Sequence, residues 1–557
     1  TTVSGTVVVT EAFEPENNDP FTAPEAGTDT LYLSHIGSVD DVDFFQVPFV
    51  AAGSRIAVYL SQLGVDMDLV MYTGNQLPIN STSLTAIAPQ TLPVGDQGAG
   101  AVQEGQFLEP QTLQDIAIQS LPIKATSALR GTADETIEAI ALRDDEGPYF
   151  VAVRSYNRAV TEAPYVLRVR VTAPPPVEVC PSPFLGGGSP TAALAGYIGA
   201  DANTAIVVNT ERLAQLHSQA EADALIAKLN EFATRTDVKG QFIDVSNVSY
   251  AAYDANPCDP EAANAVVSDI SALTLGLMGS SDTFKHLVIV GGDDIIPMAR
   301  IPDLTRISNE RDYRLDLVDL KGGAFGAAAS GHYLSDDVYG DFDPIPWLER
   351  FLYVPDVGIG RLVETPSEIQ FALQAFINSG GALNPESALA PDGISPGPDS
   401  YAVTGYDFLA DGAEAVDGGL GGHDWSGSFF SLISETWDAL DLLDLLASGR
   451  SVNSINAHFD HFRSLPADQN AANLSSELVT TADLENMLQF EGKLIFSMGC
   501  HSGLNVSDLL AATGDARTQD WAQTFVSRGA VLIGNTGYGY GDTESVALSE
   551  RLMALFA

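Results

Sequence analysis

The periodicity of this chain changes once along its length, and that change limits the folds open to it. Up to residue 172, apolar and polar residues alternate in short runs: Thr6–Thr10, Thr30–His35, Phe44–Pro48, Arg55–Leu60, Asp68–Tyr72, Tyr149–Arg154 and Tyr165–Val171. Gly, Asn and Asp separate the runs, and a two-residue period broken by turns is the pattern of a β-sandwich. Residues 75–135, rich in Thr, Gln, Pro and Gly, interrupt the pattern and read as a long insertion. Residues 173–190 form a linker, stiff at Ala173-Pro-Pro-Pro176 and ending near Gly186-Gly-Gly188. After it, strand and helix patterns take turns. Ala205–Asn209 reads as a strand, Glu211–Arg235 as a helix, Gln241–Val245 as a strand, Pro260–Met278 as a helix and Lys285–Val290 as a buried strand. That order implies a parallel sheet with crossover helices. A second cycle follows the Gly/Pro-rich stretch 379–399. Its strands are Ala402–Thr404, Val452–Ala457, Leu494–Ser497 and Ala530–Ile533, and its helices Trp437–Leu446 and Trp521–Val526. The expected fold is therefore multidomain: an all-β sandwich over 1–172, then an α/β region in two halves, 191–380 and 396–557.

Composition narrows the function. With 26 Lys+Arg against 74 Asp+Glu the net charge is −48. Such a chain repels phosphate backbones and anionic lipid, so nucleic-acid binding is excluded as a function class. No apolar run is long enough to span a membrane. The opening residues Thr1-Thr-Val-Ser-Gly5 contain no Met and no basic region, which reads as a processed end, and the acidic excess suits a secreted protein. Three cysteines do not make a disulfide scaffold. Cys180 and Cys258 both sit beside prolines and can pair in an oxidising compartment, a pairing that the sequence leaves open. Cys500 is then a leftover thiol.

Reactive groups in parallel sheets gather at the C-terminal ends of strands. Ser451-Val-Asn-Ser-Ile-Asn-Ala-His458 is a strand running out into a histidine, and Lys493-Leu-Ile-Phe-Ser-Met-Gly-Cys500 is one running out into a cysteine. On neighbouring strands, His458 and Cys500 would meet, and an imidazole beside a thiol suits nucleophilic attack on a carbonyl. Gly499 and Gly503 would let a substrate backbone approach, and backbone N–H groups there would make an oxyanion hole. His461 competes with His458 for the role of base. Two rival readings are a buried structural thiol and a metal site built from His458, His461, Cys500 and His501. Asp336, Asp337, Asp341 and Asp343 crowd one segment, a density of oxygen ligands that suits calcium; a solvated acidic loop is the alternative. Glu364 precedes Thr365-Pro-Ser-Glu368, a helix start with a capping box.

Two resemblances add to this. Glu14-Pro-Glu-Asn-Asn-Asp19, Asp40-Asp-Val-Asp-Phe-Phe45, Asp66-Met-Asp-Leu69 and Gly147-Pro-Tyr-Phe-Val-Ala-Val153 resemble the bacterial pre-peptidase C-terminal domain, which accompanies secreted peptidases. Over roughly 200–557 the chain resembles the gingipain-type cysteine peptidases of the caspase-like clan. The ordered blocks are Phe284–Asp293, Ser335-Asp-Asp-Val-Tyr-Gly340, Pro355-Asp-Val-Gly-Ile-Gly-Arg-Leu362, the His458 and Cys500 segments, and Gly534-Asn-Thr-Gly-Tyr538. The chain departs from the family pattern at Ala457 and Phe459, where glycines usually flank the histidine, and at Met498-Gly499 before the cysteine. The resemblance implies a caspase-like catalytic domain and a secreted cysteine endopeptidase. His458 would be its base, Cys500 its nucleophile and Glu364 a third member orienting the imidazole. It also implies bound calcium, a protein or peptide substrate, and a separate C-terminal fragment completing the domain. Asp542 and Glu544 are candidates for a substrate-pocket acid. The competing class is a catalytically inactive surface or extracellular-matrix binding protein on the same fold.

Overall fold

The computed structural model describes residues 7–9, 18, 20, 23–39, 41–74, 123–141, 147–174, 176–183, 189–279, 281–305, 308–347, 350–381, 400–405, 409–425, 427, 429–434, 437–465, 478–485, 487, 490–510, 519–541 and 545–557. The chain forms two compact units, Thr1–Pro176 with Ile345–Leu352, and Val177–Pro344 with Tyr353–Ala557.

The first unit is the sandwich that the alternating runs predict. Its strands are β1 (Val7–Val9), β2 (Thr30–Ser34), β3 (Val42–Val47), β4 (Arg55–Ser61), β5 (Met67–Thr73), β6 (Ile123–Ser127), β7 (Glu135–Ile140), β8 (Tyr149–Ser155) and β9 (Tyr165–Thr172). They form sheets ordered β1-β2-β9-β4-β7 and β3-β8-β5-β6. Alternate residues meet between the sheets: Ile56, Val58, Leu60, Leu167 and Val169 from one pack with Phe45, Met67, Leu69, Met71, Val151 and Val153 from the other. The structure corrects the far end of the expected insertion. Ile123–Ser127 is an edge strand paired with β5. It buries none of its residues, so no apolar alternation marks it in sequence.

The first α/β half begins with β10 (Thr204–Val208), β11 (Gly240–Asp244) and β12 (His286–Val290). An antiparallel pair follows, β13 (Ala299–Pro302) with β14 (His332–Ser335), while the pair β15 (Ile345–Trp347) with β16 (Arg350–Leu352) belongs to the first unit. Then β17 (Gly358–Leu362) completes a parallel sheet ordered β11-β10-β12-β17. The single helix expected over 211–235 is two, Thr210–Leu216 and Gln219–Ala233. Ser218 and Glu221 form a capping box that starts the second within a continuous apolar pattern. Cys180 and Cys258 are disulfide-bonded, and Cys258 stands just before the helix Pro260–Met278.

The second half contains β18 (Tyr401–Gly405), β19 (Phe430–Ile433), β20 (Val452–Ser454), β21 (His458–Phe459), β22 (Arg463–Leu465), β23 (Val479–Thr480), β24 (Leu494–Phe496) and β25 (Val531–Ile533). Its main sheet is parallel and ordered β19-β18-β20-β24-β25. Strands β21, β22 and β23 make a small antiparallel sheet of their own. Each half has its own core, one around Val207, Leu225, Ile270 and Ile289, the other around Val403, Leu442, Phe490 and Phe496. Among the described residues no helix is long and apolar enough to cross a membrane.

Candidate active site

Strands β20 and β24 are neighbours, with Val452 opposite Leu494, Asn453 opposite Ile495 and Ser454 opposite Phe496. In this register His458 and Cys500 each stand four residues beyond a paired residue, so their segments leave the same edge of the sheet side by side. The segments touch. A Cβ on Gly499 would lie 2.8 Å from Phe459 Cγ and 2.9 Å from Phe459 Cβ, so the ring of Phe459 occupies the space that glycine leaves free. Phe459 and Gly499 are thus complementary in shape.

This assigns the glycines a different job from the expected one. Gly503 packs against Gly534, where a Cβ would come 2.7 Å from the carbonyl carbon. The two glycines therefore serve close packing of their own chain, not approach of a substrate. Backbone donors around the cysteine are largely spent as well. Gly499 N–H donates to Ser497 Oγ at 3.0 Å, His501 N–H to Gly537 O at 2.8 Å and Gly503 N–H to Asn535 O at 2.8 Å.

The half-buried Cys500 thiol contacts Gly539 O at 3.7 Å. Burial pushes its pKa up, the Gly539 and Cys500 backbone groups pull it down, and the nearby Glu310 carboxylate raises it further. His458 is exposed, yet the protein around its ring holds its pKa below the ordinary histidine value. Both shifts favour a protonated thiol and a neutral imidazole at rest.

His461 stands elsewhere in the same loop. It is fully buried, its Nδ1 lies 2.6 Å from Tyr313 Oη and its N–H donates to the same hydroxyl at 2.9 Å. His501 is also fully buried, with Nε2 2.9 Å from Glu310 Oε2. Among the described residues these histidines and Cys500 do not gather into a metal-ligating group.

Glu364 is buried at the end of β17. Its carboxylate accepts from Asp508 N–H at 3.0 Å and from Asn505 Nδ2 at 3.3 Å. Burial, followed by the neighbouring Asp508 and Asp520 carboxylates, raises its pKa well above the usual range. Thr365 and Glu368 form the expected capping box. Glu364 is thus buried against the chain that follows Cys500.

The acidic segment divides. Asp336 makes a two-pronged ion pair with Arg361, at 2.6 and 2.7 Å. Asp337 starts a short 3₁₀ turn. Carboxylate oxygens of Asp341, Asp343 and Asp356 lie within 4.8 Å of one another, so the structure adds Asp356 to the candidate set and gives Asp336 another partner. The candidate pocket acids Asp542 and Glu544 lie outside the described residues.

Sequence reasoning missed Glu310, Tyr313 and Asn535. Asn535 Nδ2 bonds Met498 O at 2.9 Å and Gly499 O at 3.2 Å, fixing the turn into Cys500 from the segment after β25. Glu310 and Tyr313 come from the first half, and no local pattern links them to a cysteine about 190 residues later.

No family model matches the chain, and no curated protein matches it. Among solved structures, one described as a protease is similar over 62% of this chain and 61% of its own, at 12% identity and a TM-score of 0.37. The Arg-specific cysteine proteinase gingipain R is similar over 60% of each chain, at 12% identity and a TM-score of 0.34. The pre-peptidase C-terminal domain of a collagenase from Bacillus anthracis matches over 27% of this chain and 94% of its own, at 14% identity and a TM-score of 0.16. The chain spans about three fifths of the length of the two proteases.

Proposed function

We propose that the protein is a secreted cysteine endopeptidase with Cys500 as nucleophile and His458 as base. The observation that carries this is the β20–β24 register, closed by Phe459 against Gly499, which brings a histidine segment and a thiol segment together at one edge of a parallel sheet. With a neutral pair at rest, His458 takes the thiol proton as Sγ bonds to the substrate carbonyl carbon. The imidazolium then gives that proton to the leaving amine as the peptide C–N bond breaks, leaving a thioester. Water, deprotonated by His458, attacks the thioester; the C–S bond breaks, and the acid and the free thiol are released. The Cys180–Cys258 disulfide supports an oxidising destination. Calcium held by Asp341, Asp343 and Asp356 belongs to the same proposal as a structural ion, since hard oxygen donors at that spacing suit it. The sandwich would then be an accessory domain.

The non-catalytic reading draws on one observation, the upward push on the Cys500 thiol. One experiment separates the two. Wild type and Cys500→Ala are incubated with a mixed fluorogenic peptide library, calcium and mild reductant. The peptidase reading expects cleavage by the wild type alone, and the cut sequences report specificity. Absence of cleavage by both proteins refutes it.

A further inference from the structure

We propose that Glu310 and Tyr313, on the short helix Glu310–Tyr313 of the first α/β half, are positioning residues that align the His458 loop with the Cys500 loop. The inference rests on the peptidase reading and deepens it, because it assigns the alignment of the dyad to a segment outside the half that carries it.

Tyr313 touches both loops. Its hydroxyl accepts the backbone N–H of His461, three residues after His458, at 2.9 Å, and lies 2.6 Å from His461 Nδ1. Burial pushes the Tyr313 pKa far up, so the phenol keeps its proton and stays a neutral hydrogen-bonding partner of Nδ1. On its other side the Tyr313 ring stacks on His501, the residue after Cys500, with centroids 3.5 Å apart and planes 5° from parallel. Glu310 completes the clamp. Its Oε2 lies 2.9 Å from His501 Nε2, and its Oε1 accepts the N–H of Tyr538 at 2.8 Å. Tyr538 precedes Gly539, whose carbonyl contacts the Cys500 sulfur. One turn of helix thus fixes the histidine loop, the cysteine loop and the segment that contacts the thiol.

The clamp is itself anchored and dry. Asn309 caps the helix, and Glu310 N–H donates to Asp303 Oδ2 at 2.7 Å. Glu310, Tyr313, His461 and His501 are all buried. His501 holds a left-handed backbone conformation, φ 53°, which a non-glycine residue keeps only where its surroundings enforce it. Its Nδ1 has no hydrogen-bond partner among the described residues, so Glu310 supplies the polar contact that orients the ring.

Glu310 also acts on the thiol through its charge, raising the Cys500 pKa. The thiol also contacts the Gly539 carbonyl, and the nearby phenols of Tyr538 and Tyr540 are both held neutral by burial. Removing the Glu310 charge should therefore ease thiol ionisation while loosening the loops, and the two effects have opposite signs in two assays.

The test compares wild type, Tyr313→Phe, Glu310→Gln and, as a control for loss of a buried hydroxyl in the first half's core, Tyr339→Phe. Peptide hydrolysis and the pH profile of Cys500 alkylation by iodoacetamide are measured on each full-length protein. Tyr313→Phe is expected to lower kcat about tenfold or more with KM within about twofold, while Tyr339→Phe keeps kcat. Glu310→Gln is expected to lower kcat and to move the alkylation profile to lower pH. Wild-type kcat in both Tyr313→Phe and Glu310→Gln, or equal losses in Tyr339→Phe, overturns the proposal. If wild type hydrolyses nothing, the peptidase reading fails on its own. The alkylation profile then decides: a downward shift in Glu310→Gln sustains the coupling to the thiol, and an unmoved profile overturns it.

Discussion

Replacing Gly499 by alanine puts a methyl group where the Phe459 ring now lies. The new Cβ would sit 2.8 Å from Phe459 Cγ, 2.9 Å from its Cβ and closest of all to its Cδ2, which lies about 1 Å inside the 3.4 Å at which ordinary contact begins. The ring must retreat by roughly 1 Å. It cannot do so freely, because its other side packs edge-on against Trp521 at 5.6 Å, and Trp521 is itself tied to the histidine loop through His461 O and Asp460 O. Overpacking of this kind costs about 1–3 kcal/mol of stability. A shift of about 1 Å in a neighbouring catalytic group lowers activity on the order of 100-fold. Truncating the half-buried Phe459 to alanine should cost roughly 2 kcal/mol alone. In the double variant the added methyl falls into the space the ring vacated, so the two costs should couple by about 1–3 kcal/mol. Urea unfolding of wild type, both single variants and the double variant gives that coupling, and peptide hydrolysis follows alongside. Strict additivity within about 0.5 kcal/mol, together with wild-type turnover in Gly499→Ala, would refute the claim that the two loops meet.

Three further outcomes follow from separate parts of the structure. The Cys180–Cys258 disulfide joins residues 78 apart, and closing a loop of that length is worth about 4 to 5 kcal/mol on the chain-entropy model; Cys258→Ser should lose most of this in denaturant unfolding, and a loss below about 1 kcal/mol contradicts it. Burial raises the pKa of Glu364 in the folded state, so the unfolded chain gives up this proton first, and folding stability falls as pH rises from the unfolded value near 4.5 through the raised one. Glu364→Gln should flatten that decline and melt above wild type at pH 8, while parallel melting curves across pH would sink the argument. Chelation of calcium should lower the melting temperature of wild type but not of a variant carrying Asp341→Asn and Asp356→Asn, and an equal response in both removes the proposed ion.

Much of the framework was written in local pattern. The helices Pro260–Met278 and Trp521–Val526 fall where apolar spacing and their caps, Asp259 and Asp520, place them. In the first parallel sheet the interior strand β10 is a continuous apolar run from Ala205 to Val208, which needs no neighbour to be recognised. Strand β6 escaped because an exposed edge needs no alternation, and the break at Ser218 escaped because apolar periodicity runs across it. His458 and Cys500 each follow a strand pattern, a property of the chain itself, but the strands stop four residues earlier, at Ser454 and Phe496. Glu364 shows the limit of that approach. A capping box next to it reads as a surface feature, yet Asn505 and Asp508, far along the chain, close over its carboxylate.

By itself the sequence determined the division into a period-two region and an alternating strand–helix region, the strongly acidic charge, and the two strands that precede His458 and Cys500. Those follow from backbone periodicity and composition, which act over a few residues. Only the tertiary structure decided that β20 lies beside β24, that Phe459 fills the space over Gly499, and that Glu310 and Tyr313 reach the loops of the other half. Strand order and side-chain complementarity depend on contacts between residues tens to hundreds of positions apart, selected by how whole surfaces pack, and no local signal encodes them.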